Sequence, residues 1–396
     1  MKTKIRRSQL LVIGCFFGFF LFCLVWGLAQ PDRPSSAAEN RSLAQRPAMR
    51  RVVTDFGGFA RDFESYAADQ FPDREQLIGV YTALELAQGK KFARKAYCLQ
   101  GGWLLTKPTP TKPVDLSALQ QALAQAGALD RPLVWCVLPL KNEALYDLEP
   151  AYFSDETGKT NKQALIAALA QVEGLTVIDA EAPLVTGTLA DREQYFYKTD
   201  FHWNARGAFA AAQEIARQLA GAGTIAETSV PQAEDFLWSE LGGERRYQGD
   251  LNVWFSNQFS MQEDIPRYVP KNAADLRYFL HPGDIESVPR ETIVGSGLDK
   301  DPVTYNDVFT YNLGYYRVEN PDAPEAASVL ILKDSFQNAT IDYLSAIFRS
   351  VTVVDPRSYQ ETPDLASLLD ADGIDLVLFF YHQNNVSREL IDFLSA

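Results

Sequence analysis

Two short stretches carry side chains able to move an acyl group. Tyr197-Lys198-Thr199-Asp200-Phe201-His202-Trp203-Asn204 sets an aspartate two residues before a histidine, just ahead of a helical pattern. A carboxylate at that spacing can accept the imidazole Nδ1 proton, fix the tautomer and leave Nε2 as a base. Val329-Leu330-Ile331-Leu332-Lys333-Asp334-Ser335-Phe336 is an apolar run that ends in a serine, with a helical segment behind it. That hydroxyl would stand at the carboxyl end of a parallel strand, where open α/β sheets hold ligands. The N–H groups at a helix start can receive an oxyanion there. A serine nucleophile needs a base within hydrogen-bond reach and a third group to orient the base. Ser335, His202 and Asp200 supply one of each. The plainer readings are that Ser335 only caps a helix and that 200–204 is a surface loop with Asn204 as cap.

The chain has three histidines, so any histidine chemistry has few places to be. His281-Pro282 lies in an irregular stretch with no acid before it, which leaves His382, after the last strand, as the rival base. Scattered histidines without a CxxC pattern make no zinc set, so no metal and no cofactor is expected. Cys15 and Cys23 fall in an apolar run; Cys98 and Cys136 are either bridged or, for Cys136 inside a strand pattern, a buried thiol. Further candidates surround the serine. Asn338 can reach an oxyanion or be a first-turn polar residue. Arg357 can hold substrate or pair with Asp355. Asn384 and Asn385, leaving the last strand, can complete an oxyanion hole or form a turn. Trp203 can stack on a sugar ring or sit in the core.

The elements around these residues alternate. Leu133 to Pro139 is an apolar run bounded by prolines, the mark of a strand buried on both faces. Strands are also expected at 175–179, 329–332, 351–354 and 374–381, and helices at 162–172, 204–219, 337–348 and 387–394. Strands alternating with helices predict an α/β fold, a mostly parallel sheet with helices on both faces. Residues 220–325 read as an irregular insertion over the sheet's edge. Upstream, helical spacing predicts helices at 56–68 and 73–88, and 96–105 reads as a hairpin turning at Gly101-Gly102.

At 396 residues and 46% apolar positions the chain is globular. Its formal charge is −14, and the first 30 residues hold four basic residues and no acid, so the remainder is more acidic still. Such a body is a poor ligand for phosphate backbones, so nucleic acid is not an expected partner. Leu10 to Ala29 is a run of 20 uncharged residues. At 1.5 Å per residue it is about 30 Å long, a bilayer core's thickness. With Lys2, Lys4, Arg6 and Arg7 before it, it reads as a signal-anchor that leaves the bulk of the chain extracytoplasmic. Small residues at 27 and 29, or at 35 and 37, suit cleavage, which would make the protein secreted. The expected organisation is a membrane segment at 1–30, a Pro- and Ser-rich linker at 31–55, and one domain at 56–396.

These motifs resemble the bacterial DHHW family and its alginate O-acetylation relatives AlgX and AlgJ. Thr199-Asp200-Phe201-His202-Trp203 is similar to the D-x-H-W signature, Lys333-Asp334-Ser335-Phe336-Gln337-Asn338 to the serine block, and Val353-Val354-Asp355-Pro356-Arg357 to the Asp-x-Arg element. Glu39-Asn40-Arg41-Ser42-Leu43-Ala44, Phe63-Glu64-Ser65-Tyr66 through Phe71-Pro72-Asp73-Arg74, and Gly102-Trp103-Leu104 resemble the family's upstream segments. The resemblance covers nearly all of 39–385. It implies an SGNH-hydrolase-like fold in which the Asp-His pair precedes the serine. It also implies O-acetyl transfer or ester hydrolysis on a cell-envelope polysaccharide, with Ser335 as nucleophile, His202 as base and Asp200 as orienter. A membrane acyltransferase as acyl donor is compatible with it. Two positions depart from the pattern: Phe201 stands where DHHW proteins carry histidine, and Lys333 replaces the glycine of G-D-S. No carbohydrate-binding domain is expected after the candidate catalytic region. These departures motivate the alternative, a non-catalytic envelope scaffold or glycan-binding protein that retains the fold.

Overall fold

Side-chain alternation along seven strands builds the larger of two compact units, which comprises residues 95–251 and 259–396. The computed structural model describes residues 7–36, 41–93, 96–106, 115–149, 156–241, 246–359 and 364–395. Lys2, Lys4, Arg6, Ala37, Glu39 and Asn40 of the sequence reading lie outside these. The strands are β1 (Leu133–Val137), β2 (Leu175–Asp179), β3 (Arg277–Phe279), β4 (Tyr315–Glu319), β5 (Glu325–Lys333), β6 (Phe348–Val354) and β7 (Leu376–Tyr381). They form one sheet in the order β3-β4-β6-β5-β7-β1-β2. β6, β5, β7, β1 and β2 run parallel, in registers that pair Leu332 with Val354, Lys333 with Phe380 and Val134 with Leu378. β3 and β4 add antiparallel to the β6 side.

The two faces can be read off the strands. Val134, Cys136, Val329, Ile331, Leu376, Leu378 and Phe380 point to one core. Leu133, Trp135, Val137, Leu330, Leu332, Val377 and Phe379 point to the other. Being buried on both faces, these strands are continuously apolar. Among the helices, α1 (Arg7–Ala29), α2 (Phe56–Asp69) and α3 (Arg74–Ala87) belong to the smaller unit, and α4 (Leu116–Gly127), α5 (Glu156–Leu169), α6 (Ala205–Gly221), α7 (Ile341–Ser345), α8 (Leu365–Ala371) and α9 (Arg388–Ser395) to the larger one, beside shorter helical turns in both. α4, α5, α8 and α9 cover the second face; α6 and α7 cover the first.

Two expectations are corrected and one open alternative is decided. Residues 220–325 do not merely lie over the sheet's edge: they supply both β3 and β4, which extend the sheet. Short runs such as Arg277–Phe279 carry too little periodicity to be seen beforehand. The helix expected at 337–348 is a 3-10 turn, Ser335–Ala339, followed by the one-turn α7, and Phe348 already belongs to β6. Of the two alternatives for Cys98 and Cys136, the structure shows no bridge between them, and burial pushes the Cys136 thiol far up. The 96–105 hairpin forms with Ala96–Cys98 against Leu104–Thr106, and Gly101 and Gly102 both take positive φ.

The smaller unit comprises residues 1–94 and 252–258. Ser8–Gly27 in α1 is long and apolar enough to cross a membrane. Asp55 caps α2 by accepting from Gly58 N at 2.9 Å. Much of the segment read as a linker is tied to α2: Tyr66 donates to Asp32, Gln70 Nε2 donates to the carbonyls of Arg33 and Ala44, and Arg41 pairs with Asp69.

Candidate functional site

β5 ends in the middle of the sheet, flanked by β6 and β7, and the chain turns there because of Asp334. Its N–H extends the ladder by donating to the Phe380 carbonyl at 3.0 Å. Its carboxylate accepts from Phe336 N at 2.9 Å, from His382 N at 3.2 Å and from Asn385 Nδ2 at 3.2 Å. Asp334 is therefore the cap, and the Ser335 hydroxyl is left to other partners. As the first residue of the turn, Ser335 has an N–H without an acceptor inside it.

The Asp200–His202 loop arrives from the other direction. It is pinned by an antiparallel bridge between Phe196 and Trp203 and by Asn204, whose Oδ1 accepts from Arg206 N and Gly207 N at the start of α6. Gly249 packs against it so closely that a Cβ would stand 2.2 Å from the Thr199 carbonyl. Trp203 Nε1 donates to the Phe336 carbonyl at 3.0 Å, which ties the histidine loop to the serine turn.

These two pieces meet. His202 Nε2 lies 2.9 Å from Ser335 Oγ, and His202 Nδ1 lies 2.8 Å from Asp200 Oδ1. Tyr305 stacks on the imidazole with ring centroids 4.0 Å apart and planes 10° apart, and Phe201 packs on it at 4.0 Å. Phe201 thus does apolar work where the family motif has a histidine. Asp200 Oδ1 also accepts His202 N, and Oδ2 accepts Tyr247 OH at 3.0 Å and Asp250 N at 3.2 Å. Burial pushes Asp200 up, but the charge and hydrogen bonds of His202 outweigh it and the net shift is down. Asp200, His202 and Asp250 hold ligand-type atoms within 4.8 Å of one another. The oxygens of Asp200 already serve four donors, and the nitrogens of His202 face Asp200 and Ser335.

Most other candidates are placed elsewhere. Asn338 is buried: Oδ1 accepts from Lys333 Nζ at 2.5 Å and Nδ2 donates to Asn312 at 2.8 Å. Arg357 is bidentate on Asp355, with bonds of 2.9 and 2.8 Å, which is the ion-pair reading. Asn385 holds Asp334, and Asn384 is exposed while its N–H donates to His382 Nδ1 at 3.1 Å. That bond makes Nδ1 of His382 an acceptor, and burial shifts this ring downward. His382 lies 3.9 Å from Asp334 rather than on the serine. Trp203 is fully buried and offers no face to a sugar. Lys333 is fully buried; burial draws it down to about 8 against the opposing charge of Asp355.

Residues that the sequence reading missed are Tyr247, Asp250 and Tyr305. They come from the irregular stretch, and no local spacing marks them. Burial and the Asp200 charge raise Asp250 to about 6, against the opposing pull of His202. An unfolded aspartate titrates near 3.9. The folded state therefore holds this proton more tightly, and the resulting stability is full below the unfolded value and lost as pH rises through 6. Asp250→Asn is expected to gain about 1–3 kcal/mol at pH 8 and little at pH 4. Denaturant melts at both pH values check this; an equal effect at both contradicts it.

Comparison with known proteins agrees with this architecture. Residues 106–275 match the family model of the SGNH hydrolase-like domain of the acetyltransferase AlgX. Bacillus cereus PatB1, in a structure with a sulfonyl adduct, is similar at 22% identity and a TM-score of 0.62, covering 74% of this chain and 95% of that one. A DHHW family protein from Eubacterium siraeum DSM 15702 is similar at 17% identity and a TM-score of 0.57, covering 76% and 94%. No curated protein matches the sequence. The larger unit has an SGNH-hydrolase-like fold, in a chain that resembles the AlgX and DHHW proteins.

Proposed function

We propose that this protein is an extracytoplasmic O-acetyltransferase or acetylesterase acting on a cell-envelope polysaccharide, with Ser335 as nucleophile, His202 as base and Asp200 as orienter. The observation that carries the reading is the unbroken hydrogen-bond line from Asp200 through His202 to Ser335 at the carboxyl edge of the sheet. α1 would hold the chain in the membrane with this site outside, where a membrane acyltransferase could supply the acetyl group.

In this mechanism Asp200 keeps the His202 proton on Nδ1, so Nε2 accepts the Ser335 proton as Oγ attacks the acetyl carbonyl. The oxyanion is received by the Ser335 N–H at the start of the turn. The imidazolium is stabilised by Asp200. Collapse breaks the bond to the donor oxygen, which takes the proton from Nε2 and leaves acetyl-Ser335. A sugar hydroxyl or water then attacks the acetyl carbon, gives its proton to Nε2, and Ser335 Oγ leaves as it regains that proton.

The test uses the full chain in detergent micelles with p-nitrophenyl acetate, with and without added oligosaccharide. Nitrophenolate release that depends on Ser335 is expected, and acetylated oligosaccharide identifies a transferase. Release at the rate of the buffer alone contradicts the reading and moves the weight to a glycan-binding scaffold.

A further inference from the structure

The strand β1 is followed by Leu138-Pro139-Leu140 and then by Lys141, whose side chain is 2% exposed. Its ammonium donates to three backbone carbonyls: Leu104 at 2.7 Å, Lys198 at 2.9 Å and Asp200 at 2.8 Å. Those are all the protons an ammonium has. The Trp103 ring lies beside it, at 5.1 Å. Glu263 holds the same stretch through its N–H groups. Oε1 accepts from Thr199 N at 3.0 Å and from Thr199 Oγ1, and Oε2 accepts from Lys198 N. Leu104 N and Leu251 N add bonds to the carbonyls of Lys198 and Thr199, at 3.0 and 3.1 Å.

The three residues before the Phe201–His202 step are thus gripped on both polarities of their backbone. The cation takes the carbonyls at 198 and 200 and the anion takes the N–H groups at 198 and 199. The Asp200 carbonyl is two bonds from the Cα that carries its carboxylate, so a shift of this carbonyl moves the carboxylate away from His202 Nδ1. Burial pulls Lys141 down to about 7, and the charges of Glu263 and Asp200 oppose that. Removing either one leaves the other buried without the opposing charge that favours its ionised form.

We propose that Lys141 and Glu263 are positioning residues that clamp the 198–200 backbone and so hold Asp200 in hydrogen-bond register with His202. The proposal rests on the serine mechanism above. Neither residue touches the serine or the imidazole; both act through Asp200.

The test compares wild type with Lys141→Met, Lys141→Arg and Glu263→Gln in the full chain. Thermal unfolding, the kcat and KM for p-nitrophenyl acetate, and the downfield proton resonance of His202 Nδ1–H are measured on folded protein. A misplacement of the order of 1 Å can cost about 100-fold. Lys141→Met is expected to lower kcat by about that factor with KM little changed, and to shift or remove the resonance; Lys141→Arg restores part of both. Glu263→Gln, close in volume, is the variant to rely on where Lys141→Met does not fold, and a loss of about 10-fold with a moved resonance is expected. Folded variants with wild-type kcat and an unmoved resonance overturn the proposal, because a purely structural role would show only in the melt. Wild type without Ser335-dependent turnover defeats the serine reading instead, and the resonance then still decides whether Lys141 and Glu263 position Asp200.

Discussion

Ser335→Ala is expected to lower acetyl-ester turnover by about 10⁶-fold in kcat, the scale on which loss of a triad nucleophile acts. The substitution removes one oxygen at a turn whose shape is set by Asp334, since Asp334 caps Phe336 and ties β5 to the residues following β7. Fold and stability should therefore stay close to wild type. The His202–Asp200 bond does not involve the serine and should persist. Residual rate above the uncatalysed reaction would come from the oxyanion site and from binding. Steady-state kinetics with a thermal melt of the same sample checks this. A variant retaining a tenth of the wild-type rate would mean that another group performs the attack.

Asp200→Asn should cost about 10⁴-fold in kcat. The carboxylate has two acceptor oxygens, and each faces one backbone N–H that cannot turn away: His202 N on Oδ1 and Asp250 N on Oδ2. A carboxamide has one oxygen, so its NH₂ must confront one of these donors. With the oxygen toward Asp250, the NH₂ donates to His202 Nδ1, and the ring's proton moves to Nε2, where it points at Ser335 and cannot accept. With the oxygen toward His202, the Asp250 N–H is left buried without a partner. The variant should bind substrate normally, so the loss falls on kcat rather than KM. A loss confined to KM would assign Asp200 to substrate binding.

The core of this fold was legible because its strands are buried on both faces, so runs such as Leu133–Val137 and Leu376–Tyr381 stand out as uninterrupted apolar segments. The two ends of the Asp200–His202–Ser335 hydrogen-bond line were legible for a different reason. Asp200 and His202 are two residues apart, and Ser335 sits where a strand pattern ends, so local spacing describes each half. What joins the halves is not local. Tyr247, Asp250 and Tyr305 reach the site from a stretch with little periodicity, and Lys141 acts through three carbonyls that leave no trace in side-chain pattern. Asn338, Asn385 and Arg357 were plausible substrate contacts by position, yet each amide or guanidinium has a partner of its own inside the protein. The departure at Lys333 also becomes intelligible: a buried cation there bonds Asn338 and lies 3.9 Å from Asp355, so a lysine fits the position without disturbing the turn.

The central claim is that Ser335 is an activated nucleophile, and trapping it is the most direct test. The intact mass of the full chain is measured after incubation with phenylmethylsulfonyl fluoride, beside Ser335→Ala treated in the same way. The account predicts one sulfonyl adduct per chain, mapped to Ser335 and absent from the variant. Folded wild-type protein that gains no adduct, or an adduct that persists in Ser335→Ala, would contradict it.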